Sequence, residues 1–226
     1  MKLQLLIGPK NYSSWSLRPW LCLKWAGIPF EERMIDLAQS GYGKQGIAEI
    51  LDVSRSGRVP ILRGDDFVVW DSLAIAEWAA ENVREAKLWP EQTQVRAEAR
   101  SATAEMHSGF SDLRRDLPMN IARRCPAQSW AAGTAAQIER IEEIWTSCRQ
   151  KYGSRGPWLF GARSVADAFY APVATRFRTY GVDLGPVAQE YRDTVLGDAD
   201  FKLWEAGAVP NSWDKPGYPV IDRLYE

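Results

Sequence analysis

The chain has 226 residues, of which 46% are hydrophobic and 25% charged, and its formal net charge is −1. These values are typical of one large globular domain or two small ones, and they give no support for binding to nucleic acid or an acidic membrane surface. The three cysteines form no CxxC pair, so the sequence predicts neither a disulfide framework nor a metal site. The first apolar run is too short for a signal peptide, and none reaches the roughly 20 residues of a membrane span. We therefore expect a cytoplasmic protein with no membrane partner.

Strands and helices alternate in the first predicted domain, residues 1–82. Residues 2–7 read as a strand, and Ser14 or Ser16 can cap a helix that runs to about residue 26. A second strand over 30–36 and a short, weak helix over 41–51 follow. Two further strands, 59–62 and 67–70, flank a Gly-Asp turn, and a helix starts at Asp71-Ser72. The predicted order is βαβαββα.

From residue 83 onward the sequence predicts helices only. Residues 83–92 contain a proline and little periodicity, and read as a linker. Apolar residues at helical spacing then predict one long helix over 93–116 and a second over 130–152. A third helix, 164–180, is apolar on nearly every side and should be buried. Two shorter helices, 186–196 and 198–206, and an irregular tail follow. Residues 93–226 are therefore predicted to form a second, all-helical domain.

Proline at the start of a predicted strand singles out the dipeptide Val59-Pro60. A cis bond there would turn the Val59 N–H and C=O outward, where they could pair with a peptide-like ligand. Because cis X-Pro bonds are rare, the dipeptide alone favours a trans bond that simply begins a strand.

The pair Asp71-Ser72 has two readings of its own. Both residues are good helix caps, which is the simpler explanation. A helix start with free N–H groups and a serine hydroxyl can also bind a carboxylate, while Asp71 binds a neighbouring ammonium. Together the two residues would hold an amino-acid headgroup.

These segments together resemble the glutathione transferase family: GRVPIL, DDFVVWDSLAIAEW and YSSWSLR. The resemblance implies a thioredoxin-like first domain followed by a helical bundle. It implies that Pro60 is cis, that the Val59 backbone pairs with the cysteinyl part of glutathione, and that Asp71 and Ser72 hold the γ-glutamyl group. Arg58 stands where the family often has a residue that touches the tripeptide.

The start of the second-domain helix at 164 carries a further family feature. Ser164 and Asp167 have the spacing of a capping box, which resembles the N-capping box of the family and implies a role in folding. The resemblance covers about residues 1–206.

The serine cluster NYSSWSLRPWL is most similar to the first helix of the zeta and tau classes of bacterial and other cytosolic members. There the first serine lies five positions before an arginine, which selects Ser13 against Arg18 and implies that its hydroxyl donates to the glutathione sulfur. Ser14 is the alternate, Tyr12 a third candidate, and Ser16 is expected to be a cap. Mere capping remains the alternative for the cluster as a whole.

The second-substrate pocket is expected to draw on four residues: Trp15, His107, Phe110 and Arg114. Trp15 replaces the cysteine of zeta enzymes. His107 is the only histidine and could orient or protonate an electrophile, although a surface or interdomain hydrogen bond explains it at least as well. Asn120 is a fainter candidate, and Cys22 reads as a core residue.

Three functions fit these patterns. The first is a glutathione transferase that activates the glutathione thiol for attack on a small hydrophobic or aromatic electrophile, by conjugation, dehalogenation or isomerisation of the kind maleylacetoacetate isomerases perform. The second is a non-catalytic protein that binds glutathione or an apolar ligand. The third is a glutathione-dependent peroxidase or lyase. The resemblance also implies a homodimer.

Overall fold

The computed structural model describes residues 2–39, 41–42 and 46–208. Its first part alternates strands and helices in the predicted order: β1 (Gln4–Ile7), α1 (Ser14–Trp25), β2 (Glu31–Met34), α2 (Ala48–Leu51), β3 (Ile61–Arg63), β4 (Val68–Trp70) and α3 (Ser72–Asn82). Two expected elements are shorter than predicted. The strand over 30–36 keeps only four residues, and among the described residues of the helix predicted over 41–51 only 48–51 are helical.

The four strands form one mixed sheet in the order β2-β1-β3-β4. β1 is parallel to β2 and antiparallel to β3, with Leu5 opposite Glu32 on one side and Leu62 on the other. β3 pairs antiparallel with β4, where Leu62 faces Val69. This is the sheet of a thioredoxin-like domain, and it brings the ends of β1 and β4 to α1 and α3.

Apolar side chains cover both faces of this sheet. On one face α1 and α3 pack together and join the core of the second part of the chain, with α1 also packed against α7 (Val165–Thr179). On the other face lies a smaller cluster made of Leu6, Ile35, Ile47, Ile50, Val59 and Ile61. Helix α1 is therefore held between the sheet and the second domain, which fixes the position of its N-terminus.

The second part of the chain is helical. It consists of α4 (Thr93–Ser108), α5 (Ser111–Asp116), α6 (Ala132–Tyr152), α7, α8 (Pro186–Gly197) and α9 (Ala199–Ala206). The chain is thus an α+β protein with a thioredoxin-like domain followed by a helical domain. The predicted irregular tail lies beyond Ala208, outside the described residues.

The single long helix predicted over 93–116 is wrong, because the structure divides it at Gly109 and Phe110. Phe110 has a left-handed φ of 60°, which ends the helical path. Arg114 binds the last turn of α4: its Nε donates to the Gly109 carbonyl at 3.0 Å, and its Nη2 donates to the Met106 carbonyl. The apolar spacing continues across the break, so periodicity alone could not reveal it.

The start of α7 has the predicted capping box. The Asp167 carboxylate is fully buried and accepts hydrogen bonds from the Ser164 N–H at 2.9 Å, the Leu159 N–H at 3.0 Å and the Tyr191 hydroxyl at 3.0 Å. Burial raises the pKa of Asp167 to about 6, and these hydrogen bonds oppose the rise. All of these partners belong to the second domain, so Asp167 is a folding residue.

None of the helices in residues 2–39, 41–42 and 46–208 has the length and apolar character needed to cross a bilayer. The same residues contain no group of three or more His, Cys, Asp or Glu side chains placed to hold a metal ion.

Candidate functional site

A cavity of about 510 Å³ opens on the first domain. The residues that line it come from the start of α1, the loop before β3, and the end of β4 with the start of α3: Trp15, Tyr42, Ser56, Arg58, Val59, Pro60, Trp70, Asp71 and Ser72. Five of the predicted glutathione-site residues are therefore neighbours in space, namely Arg58, Val59, Pro60, Asp71 and Ser72. The volume of the cavity suits a small peptide or a drug-sized ligand.

The Val59-Pro60 peptide bond is cis. The trans bond favoured by the dipeptide alone is wrong, and the cis bond implied by the family resemblance is present. Val59 and Pro60 are both buried at the wall of the cavity, immediately before β3. The loop backbone therefore borders the space where a peptide-like ligand would pair with it.

Tyr42 is a cavity residue that the sequence did not single out. Burial raises the pKa of its phenol, and a hydrogen bond with the Val59 backbone opposes that rise. Tyr42 therefore lies beside the backbone that was expected to pair with the cysteinyl part of glutathione.

The start of α3 leaves one buried hydroxyl without a partner. Asp71 is the N-cap, with a left-handed φ of 74°, and its Oδ1 accepts from the Leu73 N–H at 2.7 Å. Ser72 is 1% exposed, and its Oγ has no hydrogen-bond partner within residues 2–39, 41–42 and 46–208. Since buried hydroxyls are nearly always paired, an unpaired hydroxyl on a cavity wall indicates a position for a ligand acceptor.

The second oxygen of Asp71 faces the helical domain. Its Oδ2 lies 3.5 Å from Nε2 of His107, on α4. Burial lowers the pKa of His107; the charge of Asp71 raises it, and Arg18 and Arg114 lower it further. His107, on the second domain, therefore contacts the first domain at this site.

The serine cluster lies at the start of α1 and is used differently from the simple capping interpretation. Ser13 is the N-cap residue but makes no side-chain cap; its hydroxyl donates to Ser16 Oγ at 2.8 Å. Ser16 Oγ in turn accepts from the Gly8 N–H at 3.1 Å, so the expectation that Ser16 caps the helix is wrong. A Cβ at Gly8 would lie 2.9 Å from Ser13 Oγ, which explains the glycine at this point.

Ser14 differs from its two neighbours. It is the first residue of α1 and is buried, and within the described part of the chain its hydroxyl has no hydrogen-bond partner. The free N–H groups of a first helical turn add positive potential at this point. The family spacing selects Ser13 as thiol donor, whereas the hydrogen-bond pattern leaves Ser14 free to donate.

Trp15 joins the cavity to the predicted second-substrate residues. Its ring centroid lies 5.5 Å from that of His107, edge-on, and 4.9 Å from the Arg114 guanidinium carbon. Phe110 is buried in the core cluster at the break between α4 and α5. Three of the four predicted residues, Trp15, His107 and Arg114, are thus in contact.

Asn120, a fainter candidate, has a structural role. It is buried, and its Oδ1 accepts from the Asn11 side-chain amide at 2.9 Å, which ties the loop after β1 to the helical domain. Cys22 is fully buried in the core, as expected, and burial raises the pKa of its thiol.

Two family models match the chain. The model described as glutathione S-transferase, N-terminal domain, matches residues 12–82, and the model described as glutathione S-transferase, C-terminal domain, matches residues 128–225. The chain belongs to the glutathione S-transferase family. The first matched range lies in the thioredoxin-like domain, and the second begins in the helical domain.

Named family members resemble the chain over most of its length. Maleylacetoacetate isomerase of Rattus norvegicus is 29% identical over 178 residues, which cover 78% of this chain and 79% of the isomerase. Glutathione S-transferase GstB of Escherichia coli K12 is 26% identical over 180 residues, 78% of this chain and 85% of that protein. Glutathione S-transferase 1 of Dianthus caryophyllus is 27% identical over 210 residues, covering 89% and 90%.

Solved structures show the same fold. A glutathione transferase homologue from Burkholderia with bound glutathione has a TM-score of 0.66 at 24% identity, over 92% of this chain and 98% of that one. A zeta-class maleyl pyruvate isomerase, in its holo form, has a TM-score of 0.70 at 21% identity, over 93% and 99%. At these identities the structures show the fold alone.

Proposed function

We propose that this chain is a glutathione transferase that binds glutathione in the cavity and activates its thiol for attack on a small hydrophobic or aromatic electrophile. The reaction would be a conjugation, or an isomerisation through a transient adduct. The observation that carries the proposal is the unpaired, buried Ser72 hydroxyl in a cavity also walled by the cis Val59-Pro60 bond and Asp71. These are the groups that an amino-acid headgroup and an extended peptide need.

Each end of the γ-glutamyl group has a matching partner at the start of α3. The Ser72 hydroxyl would donate to its carboxylate, and the helix dipole adds attraction there. The Leu73 and Ala74 N–H groups already donate to Asp71 Oδ1. Asp71 would bind the γ-glutamyl ammonium through Oδ2, since Oδ1 is already used to cap the helix. The Val59 backbone would pair with the cysteinyl residue, and the exposed Arg58 would meet the far end of the tripeptide.

The thiol would then lie at the start of α1. A hydroxyl that donates to the sulfur favours thiolate over thiol, and the first helical turn adds positive potential. Ser14 can donate without any rearrangement, whereas Ser13 has to turn its proton away from Ser16. Either assignment makes the start of α1 the activating element.

Single variants distinguish the two serines. If Ser13 is the donor, Ser13→Ala lowers kcat/KM with a reactive aryl halide by about a hundredfold, the range expected for an oriented activating group, while Ser14→Ala stays within about threefold. The opposite pattern assigns Ser14. The double variant should retain glutathione binding, because neither serine holds the γ-glutamyl end.

Wild-type turnover decides between an enzyme and a binding protein. A panel of aryl halides, enones, peroxides and cis-alkene acids tests conjugation, peroxidase and isomerase chemistry. Tight glutathione binding with no turnover on the whole panel would contradict the catalytic proposal and leave the binding-protein function. Three further expectations stay predictions: homodimer assembly, a cytoplasmic location, and the domain limits 1–82, 83–92 and 93–226. Light scattering after size exclusion tests the homodimer.

A further inference from the structure

Arg18 on α1 is fully buried, yet it lacks hydrogen bonds. Its relative exposure is 0%, and none of its three guanidinium nitrogens has a partner in the part of the chain that the structure describes. The guanidinium carbon lies 4.3 Å from the centroid of the Trp15 ring and 4.9 Å from that of Phe169. These ring faces offset part of the cost of burying the charge, but they accept no conventional hydrogen bond.

Two more guanidinium groups in this region also have nitrogens without hydrogen-bond partners among the described residues. Nη1 of Arg114 and Nη1 of Arg176 are buried, and neither has a partner among the residues that the structure describes. Burial, and then the charges of Arg114 and Arg176, hold the pKa of Arg18 well below its usual value. Burial, together with the charge of Arg114, lowers the pKa of Arg176 to about 9. The three cations therefore repel one another in a poorly hydrated setting.

The nearby carboxylate does not balance these charges. Asp71 acts on Arg18 electrostatically, but its oxygens face the α3 backbone and His107. Buried arginine clusters are normally paired with carboxylates, whose two oxygens match the guanidinium fork. The unpaired N–H groups of Arg18, Arg114 and Arg176 thus define a cationic subsite that lacks an anion.

Trp15 separates this cationic subsite from the cavity. The indole lines the cavity, is 37% exposed, and lies within 5 Å of the guanidinium carbons of both Arg18 and Arg114. A turn of this one side chain would open the N–H groups of both arginines to a ligand in the cavity. Trp15 immediately follows Ser13 and Ser14, so the subsite adjoins the proposed thiol position.

We propose that the electrophilic co-substrate of this chain carries a carboxylate, and that this carboxylate binds Arg18 and Arg114 once the Trp15 ring turns aside. The inference rests on the proposed function of the cavity, because it names the class of electrophile that the glutathione thiolate would meet. Arg176 contributes positive potential, because Arg18 and Arg114 are the two arginines of this cluster that lie against the Trp15 ring. The aromatic or apolar body of the co-substrate would lie against Trp15.

The test compares 4-chloro-3,5-dinitrobenzoate with its methyl ester, which has the same ring and no charge. Both are titrated calorimetrically into protein saturated with S-methylglutathione, which cannot react. We expect the carboxylate to bind at least about tenfold more tightly in the wild type, as charge-assisted hydrogen bonds require. Arg18→Met and Arg114→Gln should each reduce the preference to less than about threefold, while the exposed control Arg84→Gln keeps it.

Three results would overturn the proposal. The first is equal affinity of the wild type for the acid and the ester. The second is a preference for the acid that survives in both arginine variants. The third is wild-type binding of inorganic phosphate that is lost in Arg18→Met, although the wild type binds the acid and the ester equally. The last would mean a simple anion site. The S-methylglutathione titration is done first for every variant and also shows that each is folded. If S-methylglutathione does not bind, the proposed function fails separately, and the acid and ester are compared on the free protein.

Discussion

Helices α3 and α7 both begin with an aspartate and a serine, and they differ in what those residues leave unpaired. At α7, Asp167 is buried and accepts three hydrogen bonds from within the helical domain, besides one from the Ser164 hydroxyl. At α3, the equally buried Ser72 hydroxyl has no partner among the described residues, and Asp71 directs one oxygen across the domain boundary. The two helix starts therefore differ in unsatisfied hydrogen bonding and not in residue type, and this difference supports the proposal that α3 binds the ligand.

Backbone conformation separates the two helix starts as well. Ser164, the N-cap of α7, has an ordinary extended conformation, with φ of −147°. Asp71, the N-cap of α3, has a left-handed φ of 74°, which is uncommon outside glycine and tolerated best by Asp and Asn. Such conformations are found most often at functional sites, where the surrounding structure maintains them.

The largest expected effect is on the α7 side. Asp167→Ala should lower the free energy of unfolding by about 3–5 kcal/mol, because several buried donors lose their acceptor together. Urea denaturation at pH 7 measures this, with the exposed Asp183→Ala as a control that should change by less than about 0.5 kcal/mol. A loss below about 1 kcal/mol for Asp167→Ala would contradict the folding role.

Asp167→Asn tests how the contribution of Asp167 to stability depends on pH. The native pKa of Asp167 is raised to about 6, so the folded state holds this proton more tightly than the unfolded state does. Its contribution therefore makes the wild type less stable as pH rises from about 4 to about 6. Unfolding free energies across that interval should show this decrease in the wild type and a weaker one in the amide variant.

The next effect is on the α3 side and concerns binding. Asp71→Asn preserves the cap and the left-handed backbone but removes the charge that would bind the ligand ammonium. Glutathione affinity should fall by about ten- to a hundredfold, as expected for a charge-assisted hydrogen bond, with little change in stability. Asp65→Asn, in the exposed turn between β3 and β4, is the matched control. Unchanged affinity in Asp71→Asn would remove this residue from the ligand site.

The smallest effect is the titration of His107, the only histidine in the chain. Burial and the nearby guanidiniums lower its pKa against the opposing charge of Asp71. Its NMR titration midpoint should therefore lie below about 6.5, shift lower in Asp71→Asn and shift higher in Arg114→Gln. Because the folded state takes up this proton less readily, the His107 contribution to stability falls as pH decreases through that range. A midpoint above about 7 in the wild type would contradict the described environment.

The order of elements and most of the residues that line the cavity could be predicted from the sequence. Alternating short apolar runs and helical periodicity indicate the fold, while the VP dipeptide and the Asp-Ser helix start are local features that do not need the tertiary structure to be seen. The cis bond at Val59-Pro60 could not be predicted from the dipeptide, because local preference favours trans and only the surrounding fold selects the other isomer.

Features that depend on tertiary contacts were missed for a physical reason. The apolar pattern runs unbroken through Gly109 and Phe110, and the break depends on Arg114 binding carbonyls of the preceding helix. Tyr42 reaches the cavity from a loop that has no periodicity. Arg18 looks from its sequence like an ordinary helical arginine, and only the packing of α1 against α7 reveals that it is buried and unpaired.

The most direct test of the comparison is a calorimetric titration of reduced glutathione into two serine variants, Ser72→Ala and Ser164→Ala, beside the wild type. We expect Ser72→Ala to weaken binding by about tenfold without loss of stability, since its hydroxyl has no partner in the free protein. Ser164→Ala should bind like the wild type but unfold more easily, by about 1–2 kcal/mol. Wild-type affinity in Ser72→Ala, or equal weakening in both variants, would contradict the assignment of α3 as the ligand-binding helix start.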